Sequence, residues 1–267
     1  MRRLFVIDGH SEVYRCHFAK MPDLTSPSGE PTKATYVFTK ALMRILREKQ
    51  PTHVVMAVES KKEHCIRRAL FADYKGNRNG LPEGVGVQLK RIKQIVRALG
   101  IPVVSCKGYE ADDVIATIVR RDMDRVDEVV IVGRDKDLMQ LVTDKVRMFD
   151  PISQEYITRA AVLHKWGVKP SAIVEVQTLC GDPTDNIPGI RYIGPNTAVD
   201  LIKKYGTARK VCRAFKSDPD IIPKQSRPYF SKKMVKLWRQ LVSLHYCEPI
   251  PHLSDFRLTE VNFDAAK

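Results

Sequence analysis

Nine carboxylates are placed in this strongly basic chain as though they share a task. Glu110, Asp112 and Asp113 form one cluster, Asp135 and Asp137 a second, Asp182 and Asp185 a third, while Asp8 and Glu59 each follow an apolar run. A single acid at a strand end or helix start is usually a cap or a solvated turn residue. Clusters are different, because like charges gathered in one crevice raise one another's pKa and need compensating cations. Lys and Arg can serve, but hard oxygen ligands without His or Cys companions suit Mg²⁺ or Mn²⁺ better. Two such ions about 4 Å apart provide what phosphodiester hydrolysis needs, an activated water and neutralised charge on the phosphate and leaving oxygen. Covalent, zinc and nucleotide-loop chemistries find little support, since the chain has no Gly-x-Ser-x-Gly, no HExxH and no Walker loop.

The elements that would hold these acids alternate along the chain. Apolar runs at 4–7, 54–58, 101–104 and 129–132 read as buried parallel strands, and the amphipathic patterns over 34–46, 87–99 and 111–118 read as crossover helices. The expected fold is α/β, a central, mostly parallel sheet flanked by helices. Asp8 and Glu59 close two strands, and the strand ending at Val132 leads within three residues to Asp135. Ligand crevices of open α/β sheets lie beyond the carboxyl ends of their strands, so the acids can converge there. From about residue 157 helical patterns take over, at 170–179, 196–205 and 232–244, which divides the chain into a core over 1–157 and a helical lobe over 158–267. The stretch 60–86 is rich in Lys, Arg and Gly and too long for an ordinary connection, which marks it as a mobile, functional loop.

Bulk properties agree with a soluble globular protein that meets a polyanion. The 267 residues are 43% hydrophobic and 28% charged, and 45 Lys and Arg against 31 Asp and Glu leave a net charge of +14. Nucleic acid heads the list of partners for such an excess. The six cysteines, Cys16, Cys65, Cys106, Cys180, Cys212 and Cys247, are scattered singly and read as reduced structural thiols. Asp8 interrupts the first apolar run after four residues, and no stretch approaches the roughly 20 apolar residues of a membrane span. A cytoplasmic protein with no membrane partner is expected.

The segments VIDGHSEVYR, FADYKGNR, GYEADDVIAT, GRDKDLMQLV and GDPTDNIPGI, in that order, resemble the 5′ nuclease and flap endonuclease family. The likeness is greatest to the nuclease domain of bacterial DNA polymerase I and to stand-alone phage and bacterial 5′-3′ exonucleases, and it runs from Arg3 to about Glu248. It implies a PIN-like core, a helical lobe carrying a helix-hairpin-helix at about 187–205, and a flexible arch at about 60–86. The implied activity is structure-specific hydrolysis of DNA with 5′ ends or 5′ flaps, RNA-primed DNA included, by two metal ions, in replication or repair. Metal ligation, direct or through water, is implied for Asp8, Glu110, Asp112, Asp113, Asp135, Asp137, Asp182 and Asp185. The first ion falls to the side of Asp8, Glu110 and Asp112, and the second to that of Asp135, Asp137, Asp182 and Asp185. Lys75, Arg78, Arg15 and Tyr74 match residues near the scissile phosphate, where cations stabilise charge and a ring can stack on a base. Read by itself, Tyr74 is equally a core residue. Gly189, Ile190, Gly194 and Thr197 match the duplex-binding hairpin, with Lys203 and Lys204 adding charge. A K⁺ ion held by hairpin carbonyls, a separate DNA polymerase as partner, no fused polymerase, and a monomer complete what the resemblance implies.

The sequence departs from the family in two places. An acid expected at position 60 is Ser60, with Glu59 one place earlier, and the glycine expected before Asp135 is Arg134, with Gly133 one place earlier. Because strand side chains alternate faces, a regular strand turns Glu59 away from the site and leaves it one acid short. Only a strand that ends at Val58 would free Glu59 to reach the metals. Two other functions compete with the nuclease reading: a module that binds branched DNA without cutting it, disfavoured by the eight retained acids, and a PIN-like ribonuclease, disfavoured by the hairpin.

Overall fold

The computed structural model describes residues 1–60 and 65–259. Six strands form one sheet in the order β3-β2-β1-β4-β5-β6. They are β1 Arg3–Asp8, β2 His53–Ala57, β3 Val103–Val104, β4 Glu128–Val132, β5 Val146–Asp150 and β6 Glu155–Ile157. The first five run parallel, and β6 is antiparallel to β5. The near-continuous apolar sequences of β1, β2 and β4 fit a sheet covered on both faces. Leu4, Val6, Val55, Ala57, Val129 and Ile131 enter one core, and Phe5, Ile7, Val54, Met56, Val130 and Val132 enter the other. That division is the two-residue period of the strand expressed in packing.

The second face is covered by α1 Gly9–His17, α2 Lys33–Lys49 and α4 Val85–Ala98. In α2, Ala34, Phe38, Leu42, Ile45 and Leu46 recur at helical spacing and are buried, and Gln50 ends the helix in the left-handed region at φ 46°. The first face takes α5 Ala111–Asp122 and is continuous with the helical lobe. That lobe contains α6 Arg159–Trp166, α7 Ile173–Cys180, α8 Pro195–Tyr205, α9 Ala208–Ser217 and α10 Lys232–Val242. No helix among the described residues is long and apolar enough to cross a membrane.

Two parts of the sequence expectation change. The sheet gains β5 and β6, which apolar runs do not announce: β5 carries Arg147, held by Glu128, and β6 is a three-residue edge strand. The stretch 60–86 is in large part built rather than open. Residues 61–64 lie outside the described residues, but α3 Ile66–Leu70 packs on α10, and the following turn is tied down by three hydrogen bonds. Lys75 N–H donates to Asp185 O, Asn77 Nδ2 to Pro183 O, and Asn186 Nδ2 to Asp73 O. Residues 65–78 thus form a tethered wall of the crevice, and 79–81 run exposed.

Candidate active site

The acids meet above the carboxyl ends of the parallel strands. Asp8 is the last residue of β1, is 2% exposed, and accepts from Ser11 N at 3.2 Å as the cap of α1. β4 lies beside β1, so Asp135, three residues past Val132, arrives next to it. Gly133 permits that approach, since a Cβ there would lie 3.2 Å from Asp8 Cβ. Asp112 enters from the first turn of α5. Carboxylate oxygens of Asp8, Asp112 and Asp135 lie within 4.8 Å of one another, and those of Asp137, Asp182 and Asp185 form a second triad under the same limit. Asp137 starts a short 3-10 turn after Asp135, and Asp182 and Asp185 sit in the turn that follows α7.

The two triads differ electrostatically. Burial, with the Asp135 charge beside it, pushes Asp8 well above the usual carboxylate range, and burial with Asp135 and Asp8 does the same to Asp112. None of the first three acids forms a salt bridge among the described residues. Burial pushes Asp137 up to about 6, opposed by Lys136 and reinforced by Asp135 and Asp182. Burial acts on Asp185 too, but Lys75, Arg78 and Lys136 outweigh it and hold that group below its ordinary value. An oxygen-only triad that is crowded, buried or half-buried, and without a salt bridge among the described residues fits a hard divalent cation, which would remove the repulsion.

Six of the eight predicted ligands come together and two do not. Asp113 is fully buried and turned away: Arg67 donates to both its oxygens at 2.6 and 2.7 Å, and the His245 and Glu110 backbone N–H groups donate to them as well. Glu110 stands at the rim with both oxygens engaged, one by Lys75 Nζ at 2.5 Å and the other by Tyr74 Oη at 2.8 Å and Arg67 at 3.1 Å. By carboxylate spacing Asp135 groups with Asp8 and Asp112, whereas the resemblance placed it on the side of Asp137.

Among the four residues expected near the scissile phosphate, Lys75 and Arg78 line a crevice of about 940 Å³ together with Asp8, Asp112, Asp135 and Asp185. Tyr74 borders it but is only 1% exposed, and its hydroxyl reaches Glu110 and Asp185, so its ring is packed in the core rather than offered to a base. Arg15 is absent from the lining. It is spent on Glu12 at 2.5 Å and Asp150 at 2.8 Å, where Arg134 also binds. Sequence reasoning missed Arg67 and Gln177, whose neighbours give no local sign of an acid partner far along the chain.

β2 ends at Ala57, so the regular alternation that would turn Glu59 away does not extend to it. Its N–H donates to His10 Nδ1 at 3.0 Å and the residue lines the crevice, while Ser60 Oγ holds the loop at Tyr109 O and Gly108 N. Glu59 nevertheless belongs to neither triad. Replacing Glu59 with alanine is expected to change the single-turnover rate by less than about tenfold at saturating Mg²⁺ or Mn²⁺, the lower range for groups outside direct ligation. A hundredfold loss with folding intact would make it a ligand.

The hairpin between α7 and α8 is crossed by glycines. A Cβ on Gly189, at φ 67°, would lie 2.2 Å from Gly181 N, and one on Gly181, at φ 78°, 2.3 Å from Ile187 O. Gly189 and Ile190 are therefore interior, and Ile190 N–H donates to Leu179 O. Gly194 caps the start of α8, is exposed, and has nothing within 4 Å of where a Cβ would sit. Thr197 is half-buried, and Lys203 and Lys204 are exposed.

Two oxygen triads over a parallel sheet, joined to a lobe with a glycine-crossed hairpin, define the class of metal-using nucleases with a resolvase-like core. Residues 3–167 match the family model described as 5′-3′ exonuclease, N-terminal resolvase-like domain, and residues 168–264 that described as 5′-3′ exonuclease, C-terminal SAM fold. The chain belongs to the 5′-3′ exonuclease family and is a nuclease. It is 36% identical to a 5′-3′ exonuclease of Aquifex aeolicus over 243 residues, which is 90% of this chain and 83% of that one. It is 38% identical to DNA polymerase I of Bacillus caldotenax over 79% of its own length, and spans about a quarter (24%) of that relative. The fold is that of the bacteriophage T5 D15 flap endonuclease, solved with DNA and metal ions, at a TM-score of 0.74 and 21% identity covering 91% of this chain and 89% of that one. Flap endonuclease-1 from Methanococcus jannaschii matches at a TM-score of 0.65 and 15% identity, covering 98% and 84%.

Proposed function

We propose that this nuclease is structure-specific, hydrolysing DNA phosphodiesters at free 5′ ends and at the bases of 5′ flaps with two divalent ions, Mg²⁺ or Mn²⁺. The observation that carries the reading is the pair of oxygen-only triads facing one crevice beside Lys75 and Arg78. Divalent ions held there supply an activated water and stabilise the developing charge. Asp8, Asp112 and Asp135 hold one, and Asp137, Asp182 and Asp185 the other. Lys75 and Arg78 lie where a phosphate entering the crevice meets cations, and they exchange their carboxylate partners for it as the reaction proceeds.

The helical lobe grips the duplex. Backbone N–H groups at the exposed start of α8, with Thr197, Lys203 and Lys204, are suited to a DNA phosphate. A K⁺ ion in the hairpin, RNA-primed DNA as a substrate, a separate DNA polymerase as a partner, a monomeric state, a role in replication or repair, and a division into a core over 1–157 and a lobe over 158–267 belong to the same proposal, although the two family models meet at 167/168. The test is cleavage of a 5′-labelled flap, a nicked duplex and single-stranded DNA with Mg²⁺, Mn²⁺ or excess EDTA. Cutting of the flap and nicked duplex with either ion, and none in EDTA, is expected; full activity in EDTA would sink the mechanism.

A further inference from the structure

The two triads are alike in composition but not in what surrounds them. The first has no ammonium or guanidinium bridging its oxygens among the described residues. The second is already occupied by protein donors. Lys136 Nζ donates to both oxygens of Asp137 at 3.2 Å and forms a short ion pair with Asp182 Oδ2. Gln177 Nε2 donates to the same two acids, at 2.6 Å to Asp137 Oδ1 and 3.4 Å to Asp182 Oδ2. Asp185, the third member, is bridged by Arg78 and, at 3.7 Å, by Lys75.

We infer that Lys136 is an internal counter-cation of the second triad, which must be displaced before a divalent ion is held by Asp137 and Asp182. The inference rests on the two-ion reading above and goes beyond it, because it assigns this chain's own lysine to the place of the second cation. An ammonium that contacts two carboxylates within a triad stands where a divalent ion would have to stand, and both cannot occupy that space. Loading this triad therefore carries the cost of breaking the lysine's ion pairs. Loading the first relieves repulsion and breaks no ion pair among the described residues. Lys136 also has somewhere to go, since its side chain is 31% exposed and can swing to solvent on its flexible stem.

Gln177 supplies an independent sign that the second triad is arranged for exchange. The residue is 2% exposed, yet its Oε1 is buried with no hydrogen-bond partner. An unpaired buried carbonyl oxygen is costly. With Lys136 in place, the amide must turn its NH₂ group to the acids and leave the oxygen orphaned. With Lys136 withdrawn and a cation between Asp137 and Asp182, rotation of the amide by half a turn brings Oε1 toward the cation as a neutral ligand.

The test measures metal binding rather than turnover. Mn²⁺ is titrated into the full chain and free Mn²⁺ is counted by electron paramagnetic resonance, for wild type, Lys136→Met, which keeps the length of the side chain without its charge, and Lys136→Arg, which keeps the charge. Wild type is expected to bind two ions, the second at least tenfold more weakly than the first. Lys136→Met should tighten the second at least tenfold and leave the first within twofold, while Lys136→Arg should keep the second weak. Two ions in every protein with an unchanged or weaker second constant in Lys136→Met would overturn the displacement alone. A single ion in every protein would overturn the two-ion reading, and the displacement with it.

Discussion

Asp112→Asn is expected to lower the single-turnover cleavage rate by about a thousandfold, the upper range for removing one charge-stabilising group from a preorganised site, while flap affinity stays within a few fold. Asp112 lies in the first turn of α5 without capping it, so asparagine keeps the volume and the helix while removing a charge from the triad with Asp8 and Asp135. The same change should leave the metal-free fold as stable as wild type or more so. The raised pKa of Asp112 means that the native state holds its proton more tightly than the unfolded chain does. Stability linked to this group is therefore present below the ordinary carboxylate pKa and lost as pH rises through the elevated folded value. Ionising this carboxylate in the metal-free native state is a cost that asparagine removes. Lower activity with equal or higher thermal stability identifies a residue kept for function at the expense of folding. Loss of cutting, binding and stability together would instead make Asp112 structural.

How much of this was legible in the sequence depended on the range of the interactions involved. β1, β2 and β4 announce themselves because a strand buried on both faces needs an unbroken apolar run, and the acids are readable because they end those runs or open the next helix. β5 is hidden by Arg147, which is tolerable there only because Glu128 lies on the neighbouring strand. Identity of residue type within a motif also misleads: Asp112 and Asp113 are adjacent on α5, but a helix turns about 100° per residue, so one faces the triad and the other the body of the protein. Tyr74 is an aromatic in a basic segment, and only its bonds to Glu110 and Asp185, from two distant segments, show why its ring points inward. The fate of Glu59 turned on where β2 stops, a boundary that local pattern fixes only to within a few residues.

The second large effect is expected at Arg67, which belongs to neither triad and is predicted by no motif. Its guanidinium, from α3, is buried and binds both oxygens of Asp113 on α5, Glu110 Oε2, and the carbonyls of Leu241 and Ser243 at the end of α10. One side chain therefore fastens the crevice wall to the helix that carries Asp112 and to the helical lobe. Arg67→Met leaves Asp113 fully buried with its charge uncompensated, and removing one partner of such a pair costs about 3–5 kcal/mol. At roughly 2–4 °C per kcal/mol for a chain of this size, the melting temperature should fall by about 6–20 °C. Asp113 is held below its ordinary pKa, chiefly by Arg67 working against burial. The pair's contribution is thus present above the usual carboxylate pKa and lost as pH falls through the depressed folded value, and the gap between wild type and Arg67→Met should close in that acid range. The double variant Arg67→Met/Asp113→Asn should recover part of the loss, because it removes the stranded charge while keeping an acceptor for the His245 and Glu110 N–H groups. Asp113→Asn alone should leave the number of bound Mn²⁺ ions unchanged. Loss of an ion in Asp113→Asn, with Arg67→Met melting within about 2 °C of wild type, would return Asp113 to the ligands and deny the arginine its structural role.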